Sequence, residues 1–142
     1  MRLIRRSGAG SRKGLSETMT GVWAGQNPDL VRRIAAEGHQ MINHTYDHQS
    51  FTGASTGADP QTYESMVWQL NTTEQLVWDI AGYEMKPYVR PPYGDIGPMT
   101  SGFLVDAGYY INVMWTCDSY GWKGWDGAQI VQHCTTDIGP GE

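Results

Sequence analysis

Twice in this chain an Asx-Pro pair precedes apolar residues spaced three and four apart, and each time a glycine ends the run. Asn27-Pro28 leads into Leu30, Val31, Ile34 and Ala35 before Gly38, and Asp59-Pro60 leads into Tyr63, Met66, Val67, Leu70, Val77 and Ile80 before Gly82. Asx caps a helix, proline suits its first turn and glycine its end, so the pattern predicts a short amphipathic helix and a long one. Between and after them, 39–43, 86–90 and 109–115 are short apolar runs that predict strands, with helices expected over 99–107 and 126–136. Strands that alternate with helices indicate a parallel sheet under covering helices, either an open doubly wound sheet or a barrel. In both architectures, sites form beyond the carboxyl ends of the strands. His44 to His48, Arg90 to Asp95 and Asp118 to Trp122 are therefore expected at one rim.

Charge narrows the partners. Of ten basic residues, five (Arg2, Arg5, Arg6, Arg12, Lys13) lie in the first thirteen positions, and the remainder carries five basic against fifteen acidic residues. An acidic body is a poor match for nucleic-acid phosphates. Arg5-Arg6 is followed by Ser7-Gly8-Ala9-Gly10-Ser11, not by the apolar core of an export signal, and reads as a solvated tail. No uninterrupted apolar stretch reaches the roughly 18 to 20 residues of a spanning helix.

The three expected rim segments carry the chemistry. His44 and His48, four apart, can meet one metal ion on a helix turn or a tight loop, and neutral imidazole suits zinc or cobalt. Two surface histidines capping a loop is the alternative reading of the same spacing. Asp47 is a possible third ligand, though its adjacency to His48 makes a shared ion awkward. Arg90 precedes Pro91-Pro92-Tyr93-Gly94, which reads as a stiff segment able to aim a guanidinium and present a ring or as an ordinary proline turn with a surface arginine. Asp118 stands among Trp115, Tyr120, Trp122 and Trp125, which reads as a sugar-binding wall or as core packing.

In order, Asn43-His44-Thr45-x-x-His48, Arg90-Pro91-Pro92-Tyr93-Gly94 and Asp118-x-x-Gly121-Trp122 resemble the motifs of the polysaccharide deacetylase family. This is the NodB-homology domain, carbohydrate esterase family four. The lead-in from Gly21-Val22-Trp23-Ala24 through Asn27-Pro28-Asp29-Leu30 to Glu37-Gly38-His39 also resembles that family's second strand and helix. The resemblance runs from about Thr18 to Glu142, with 1–17 as an atypical basic tail. It implies a distorted (β/α) barrel that removes N- or O-acetyl groups from chitin, peptidoglycan or acetylxylan, at or outside the cell envelope.

By the same resemblance His44 and His48 are ligands of zinc or a similar divalent ion, and Thr45 steadies their loop. Arg90 orients the catalytic base, Tyr93 offers a backbone N–H to the oxyanion, and Pro92 with Tyr93 walls the groove. Asp118 and Trp122 lie by the acetyl pocket and general acid. Two family motifs are missing. A first strand should end in two adjacent aspartates that act as base and third ligand, yet no aspartate precedes Asp29. A late Leu-x-His should supply the general acid, a role His133 does not suit from within a helix. Gly121 also replaces a common second aspartate. These gaps predict an internal piece of a deacetylase, a barrel incomplete at both ends whose open edges favour self-association. A catalytically empty carbohydrate-binding module of the same fold is the alternative.

Cys117 and Cys134 are expected to remain free thiols. If a helix beginning at Asp126 runs back along its strand, Cys134 ends roughly 12 Å down it, beyond the roughly 7 Å Cα separation a disulfide tolerates.

Overall fold

A computed structural model describes residues 16–136, so the basic arm over 1–15 lies outside the described residues. Two compact units divide at Asn112 and Val113, and each is described by itself.

In the first unit four parallel strands stand in chain order: β1 (Ser16–Met19), β2 (Gln40–Asn43), β3 (Tyr88–Val89) and β4 (Ile111–Asn112). Strand β1 pairs with β2 from Ser16↔Gln40 to Met19↔Asn43, so pairing begins two residues ahead of the boundary expected at Thr18. Crossovers carry α1 (Gly21–Gln26), α2 (Pro28–Ala36), α3 (Tyr63–Ala81) and α4 (Pro98–Asp106). The parallel α/β class is as expected from the alternation.

Asn27 separates α1 from α2. Its amide donates to the Trp23 carbonyl at 2.9 Å and so closes α1, while Pro28 opens α2. The cap of α3 is Thr62, whose hydroxyl accepts from Ser65 N, and not Asp59. Gln61 explains the delay. Its backbone N–H donates to Phe51 O and its side chain to Ser50 O, and these bonds hold the segment against the preceding loop. Gly82 ends α3 in the left-handed region at φ 61°, and its N–H closes on Trp78 O.

Met66, Leu70, Thr73 and Val77 form the buried stripe of α3. Its first half packs Met66 and Leu70 with Phe51, Val89, Leu104 and Tyr109, and its second half packs Val77 with Met19, Ala24, Val31 and Met41. One helix thus serves two apolar clusters, and each of its fully buried aliphatic side chains contributes roughly 1.5–3 kcal/mol.

Two expected strands shrink. The run 109–115 pairs only over Ile111–Asn112, and 86–90 only over Tyr88–Val89. Pro91 and Pro92 follow directly, and without N–H groups they end the ladder that β4 needs.

The second unit holds a 3-10 turn (Gly121–Lys123) and α5 (Gly127–Thr135). Asp126 and Gln129 form a reciprocal cap on α5. Cys117 and Cys134 are joined in a disulfide with Cα atoms 5.6 Å apart, which overturns the expectation of free thiols. That expectation rested on a helix running back along a strand that ends at Trp115, two residues before Cys117. The strand ends instead at Asn112, and the fourteen intervening positions form a loop that returns Cys117 to α5.

Candidate functional site

The chain from Asn43 to His48 is held by backbone and buried polar groups on every side. His44 N donates to Met19 O at the end of β1, while Gly21 N and Val22 N at the start of α1 donate to Thr45 O and Tyr46 O. Asn43 is fully buried. Its Oδ1 accepts from Thr45 N, and its amide donates to Leu70 O and to the Tyr109 hydroxyl. Gln69 reaches across from α3, its Oε1 accepting from Tyr46 N at 2.7 Å and Asp47 N at 3.2 Å, its amide donating to Asp47 Oδ1.

These bonds support an unusual backbone. Thr45 and His48 sit at φ 66° and 67°, and Thr45 Oγ1 accepts the His48 N–H. Non-glycine residues in that region cost on the order of 1–3 kcal/mol each, so the surrounding bonds must hold them there. The result is two imidazoles edge to face with centroids 4.7 Å apart. Burial brings His44 down to about 4 despite the opposing Arg90 carbonyl, and burial also lowers His48. Both rings are neutral at pH 7, the state in which imidazole ligates a metal.

Arg90 contributes through its backbone. Its N–H donates to Asn43 O, and its carbonyl accepts from His44 Nδ1 at 2.6 Å. Its guanidinium is half-buried, and burial lowers its pKa. Pro92 is buried at the start of a 3-10 turn in which Tyr93 stands at φ 60°. The Tyr93 ring is half exposed and lies 4.7 Å from the His48 ring. The first two sequence constellations are therefore brought together around His48. A cavity of about 270 Å³ opens beside His44, with Glu17, Thr18, Trp23 and Ile34 among its walls.

Asp118 and Trp122 belong to the second unit. The Trp122 indole N–H is shared by both Asp118 carboxylate oxygens at 3.2 Å, and the Asp118 oxygen also accepts from Tyr120 N. Those bonds lower the Asp118 pKa, the Tyr120 amide foremost. The Lys123 ammonium lies over the Tyr120 and Trp122 rings. His133 stacks on Tyr120 within α5.

The donor set around His44 and His48 fits a divalent ion of the zinc class as two neutral imidazole nitrogens. Asp47 is turned to Gln49 and Gln69 by hydrogen bonds. Among the described residues, the one set of three metal-ligating side chains within 4.8 Å of one another is Cys117, His133 and Cys134, two of which are joined in the disulfide.

Sequence reasoning missed Gln69, and it gave Asp95 no role beyond ending the rim segment Arg90 to Asp95. The Asp95 carboxylate, 9% exposed, accepts from the Ser50 and Ser55 hydroxyls and from Ser55 N. Burial pushes its pKa up, but these bonds outweigh it and leave the group below its ordinary value.

The polysaccharide deacetylase profile matches residues 17–111. A peptidoglycan-N-acetylglucosamine deacetylase of Bacillus cereus is 34% identical over 80% of this chain, which covers 38% of that protein. A family 4 carbohydrate esterase from Streptomyces lividans, solved with acetate, superposes with a TM-score of 0.72 at 28% identity, covering 88% of this chain and 61% of that one. A family 4 pseudoenzyme from Bacillus anthracis shares the fold with a TM-score of 0.73 at 20% identity, covering 89% of this chain and 42% of that one. The chain thus spans less than two thirds of each of these three proteins.

Proposed function

Because this chain belongs to the polysaccharide deacetylase family, we propose that its histidine loop serves the metal-dependent removal of N-acetyl groups from a polymer of N-acetylglucosamine. The family is metal-dependent; His44 and His48 would hold the ion here, with zinc preferred and cobalt a substitute. The observation that carries the reading is the His44–His48 ring pair at 4.7 Å, with Tyr93 packed on the His48 ring.

A bound divalent ion would supply a water of lowered pKa and polarise the acetyl carbonyl. Around it Tyr93 would give its backbone N–H to the developing oxyanion and, with Pro92, wall the groove. Arg90 would orient a catalytic base while its carbonyl fixes the His44 ring. In the second unit, Asp118 and Trp122 are the candidates for the acetyl pocket and general-acid region; their mutual hydrogen bonds support a fixed indole face. Peptidoglycan is the favoured polymer, on the strength of the Bacillus cereus relative, with chitin as the competitor of the same class and acetylxylan, whose acetyl groups are O-linked, as the competitor outside it. Such a substrate would place the activity at or outside the cell envelope; no described helix is long and apolar enough to cross a membrane. The outer edges of β1 and β4, unpaired among the described residues, support self-association.

Calorimetric titration of the metal-free protein with zinc tests the site. We expect one ion per chain, lost in His44→Ala and in His48→Ala; undiminished binding in both variants would refute the assignment. A second reading, a sugar-binding module without catalysis, is favoured by the exposed Trp122 indole held on the Asp118 carboxylate. It predicts chitooligosaccharide binding that survives His44→Ala with no acetate released.

A further inference from the structure

We propose that Asp95 is a positioning residue, whose carboxylate ties the loop after His48 to the turn that presents Tyr93 and thereby sets the Tyr93 ring against the His48 imidazole. In its functional consequence the inference rests on the reading of His48 as a metal ligand; its geometry does not.

Neither joined segment has a strand or α-helix to stiffen it. The loop over 49–62 is irregular, and 90–95 holds only the 3-10 turn with Tyr93 in the left-handed region. Asp95 gathers donors from far along the chain: Oδ2 accepts from Ser50 Oγ at 2.5 Å and Ser55 N at 2.8 Å, and Oδ1 from Ser55 Oγ at 2.6 Å. Ser50 Oγ accepts in turn from Gly53 N at 2.8 Å, which extends the grip over the tip of the loop.

Ser55 N can only donate, and both serine hydroxyls turn their protons to Asp95, so the position suits a group that accepts at both oxygens. An ionised carboxylate meets that demand with charge-assisted bonds. Asparagine of the same shape could keep Ser55 N on its amide oxygen, but its N–H would force the Ser55 hydroxyl to turn and accept, and the charge assistance would be lost. The segment from Arg90 to Asp95 is consequently pinned at both ends, by the Arg90 carbonyl on His44 Nδ1 and by Asp95 on Ser50 and Ser55. Within the turn, Gly94 N donates to Pro91 O and Asp95 N to Pro92 O. Tyr93 lies between the two pins, and its ring falls on His48 at 4.7 Å. If one pin is released, the strained turn can relax and the ring contact should loosen.

The test is proton NMR of the full chain without metal at one fixed pH, comparing wild type, Asp95→Asn, Ser55→Ala and Tyr93→Leu. His39, beside Glu37 and away from this turn, is the internal control. We expect the His48 ring protons of Asp95→Asn to move toward the position they take in Tyr93→Leu, with His39 unmoved, and a smaller shift in the same direction in Ser55→Ala. We also expect zinc affinity to fall roughly tenfold or more in Asp95→Asn, the range typical of groups that orient metal ligands. A folded Asp95→Asn protein with unshifted His48 signals overturns the proposal; should that variant unfold, unshifted signals in Ser55→Ala overturn it. If wild type binds no zinc but the His48 shifts occur, the positioning role stands and the metal reading fails.

Discussion

His44 Nδ1 lies 2.6 Å from the backbone carbonyl oxygen of Arg90. A carbonyl only accepts, so Nδ1 carries the proton and Nε2 keeps the lone pair. The ring is thereby set in the tautomer that can offer Nε2 to a metal, before any metal is bound. The fixing group belongs to the backbone of the residue whose side chain the sequence motif singles out.

That buried neutral ring makes the metal-free protein sensitive to acid. An unfolded histidine titrates near 6.5, whereas His44 in the fold titrates at about 4. Between those values the unfolded chain binds more protons, so stability falls as pH drops from 6.5 toward 4. The full window is worth at most about 3 kcal/mol, and partial exposure of the ring reduces it. Asp95 acts in the same direction at lower pH, because its folded pKa lies below the ordinary carboxylate value and its contribution is lost as that group protonates. Urea unfolding at pH 7.5, 5.5 and 4.5 should show this slope in wild type and a flatter one in His44→Gln. Parallel curves would remove His44 as its source.

The periodic helices were legible because their signals are local: Pro28 and Gly82 stand where a first turn and a left-handed cap need them. Strand β1 was not, since Ser16-Glu17-Thr18-Met19 has no apolar alternation and becomes a strand through its pairing with β2. Tyr109 to Trp115 misled in the opposite way, for its strand propensity exceeds the two-residue partner that Pro91 leaves it. In the site, the four-residue histidine spacing and the Arg-Pro-Pro-Tyr run could be read directly. Gln69 and Asp95 could not, because each meets its partners 22 or more positions away, and a single polar residue carries no spacing signal.

Gln69 should prove a large stability determinant for a neutral side chain. It is 2% exposed, and its Oε1 is the acceptor for two backbone N–H groups of the histidine loop. Gln69→Leu strands both donors in an apolar setting, at about 1–3 kcal/mol each when no water reaches them. We expect a loss of about 2–4 kcal/mol by urea denaturation. Gln75→Leu, on the exposed side of the same helix, should change stability by less than about 0.5 kcal/mol. Equal losses at the two positions would contradict the role given to Gln69.

The disulfide should govern the second unit alone. α5 contributes no buried residue, so little apolar burial holds that unit together. Cys117 and Cys134 are separated by 17 positions, and closing a loop of that size stabilises by about 3 kcal/mol in the chain-entropy account. Unreduced, unfolded protein should show no free thiol. Reduction should remove amide-exchange protection over Gly127–Thr135 and leave the Met66–Val77 stretch of α3 unchanged. Two titratable thiols before reduction, or unchanged protection in α5 after it, would sink this account.

The loop that Asp95 grips also depends on one glycine for lack of space. Gly53 and Gly57 have nearly the same backbone, φ 73° and 74°, but a Cβ on Gly53 would stand 1.8 Å from Ala58 O, while one on Gly57 would meet nothing within 4 Å. Alanine at either position costs about 1 kcal/mol for the left-handed conformation. At Gly53 the backbone carbonyl of Ala58 must shift to make room, so overpacking adds about 1–3 kcal/mol. Denaturant titrations of Gly53→Ala and Gly57→Ala should therefore differ by about 1–3 kcal/mol, with the larger loss at Gly53. A matched pair of losses would mean that φ alone sets the cost and that the Gly53–Ala58 approach is looser in solution.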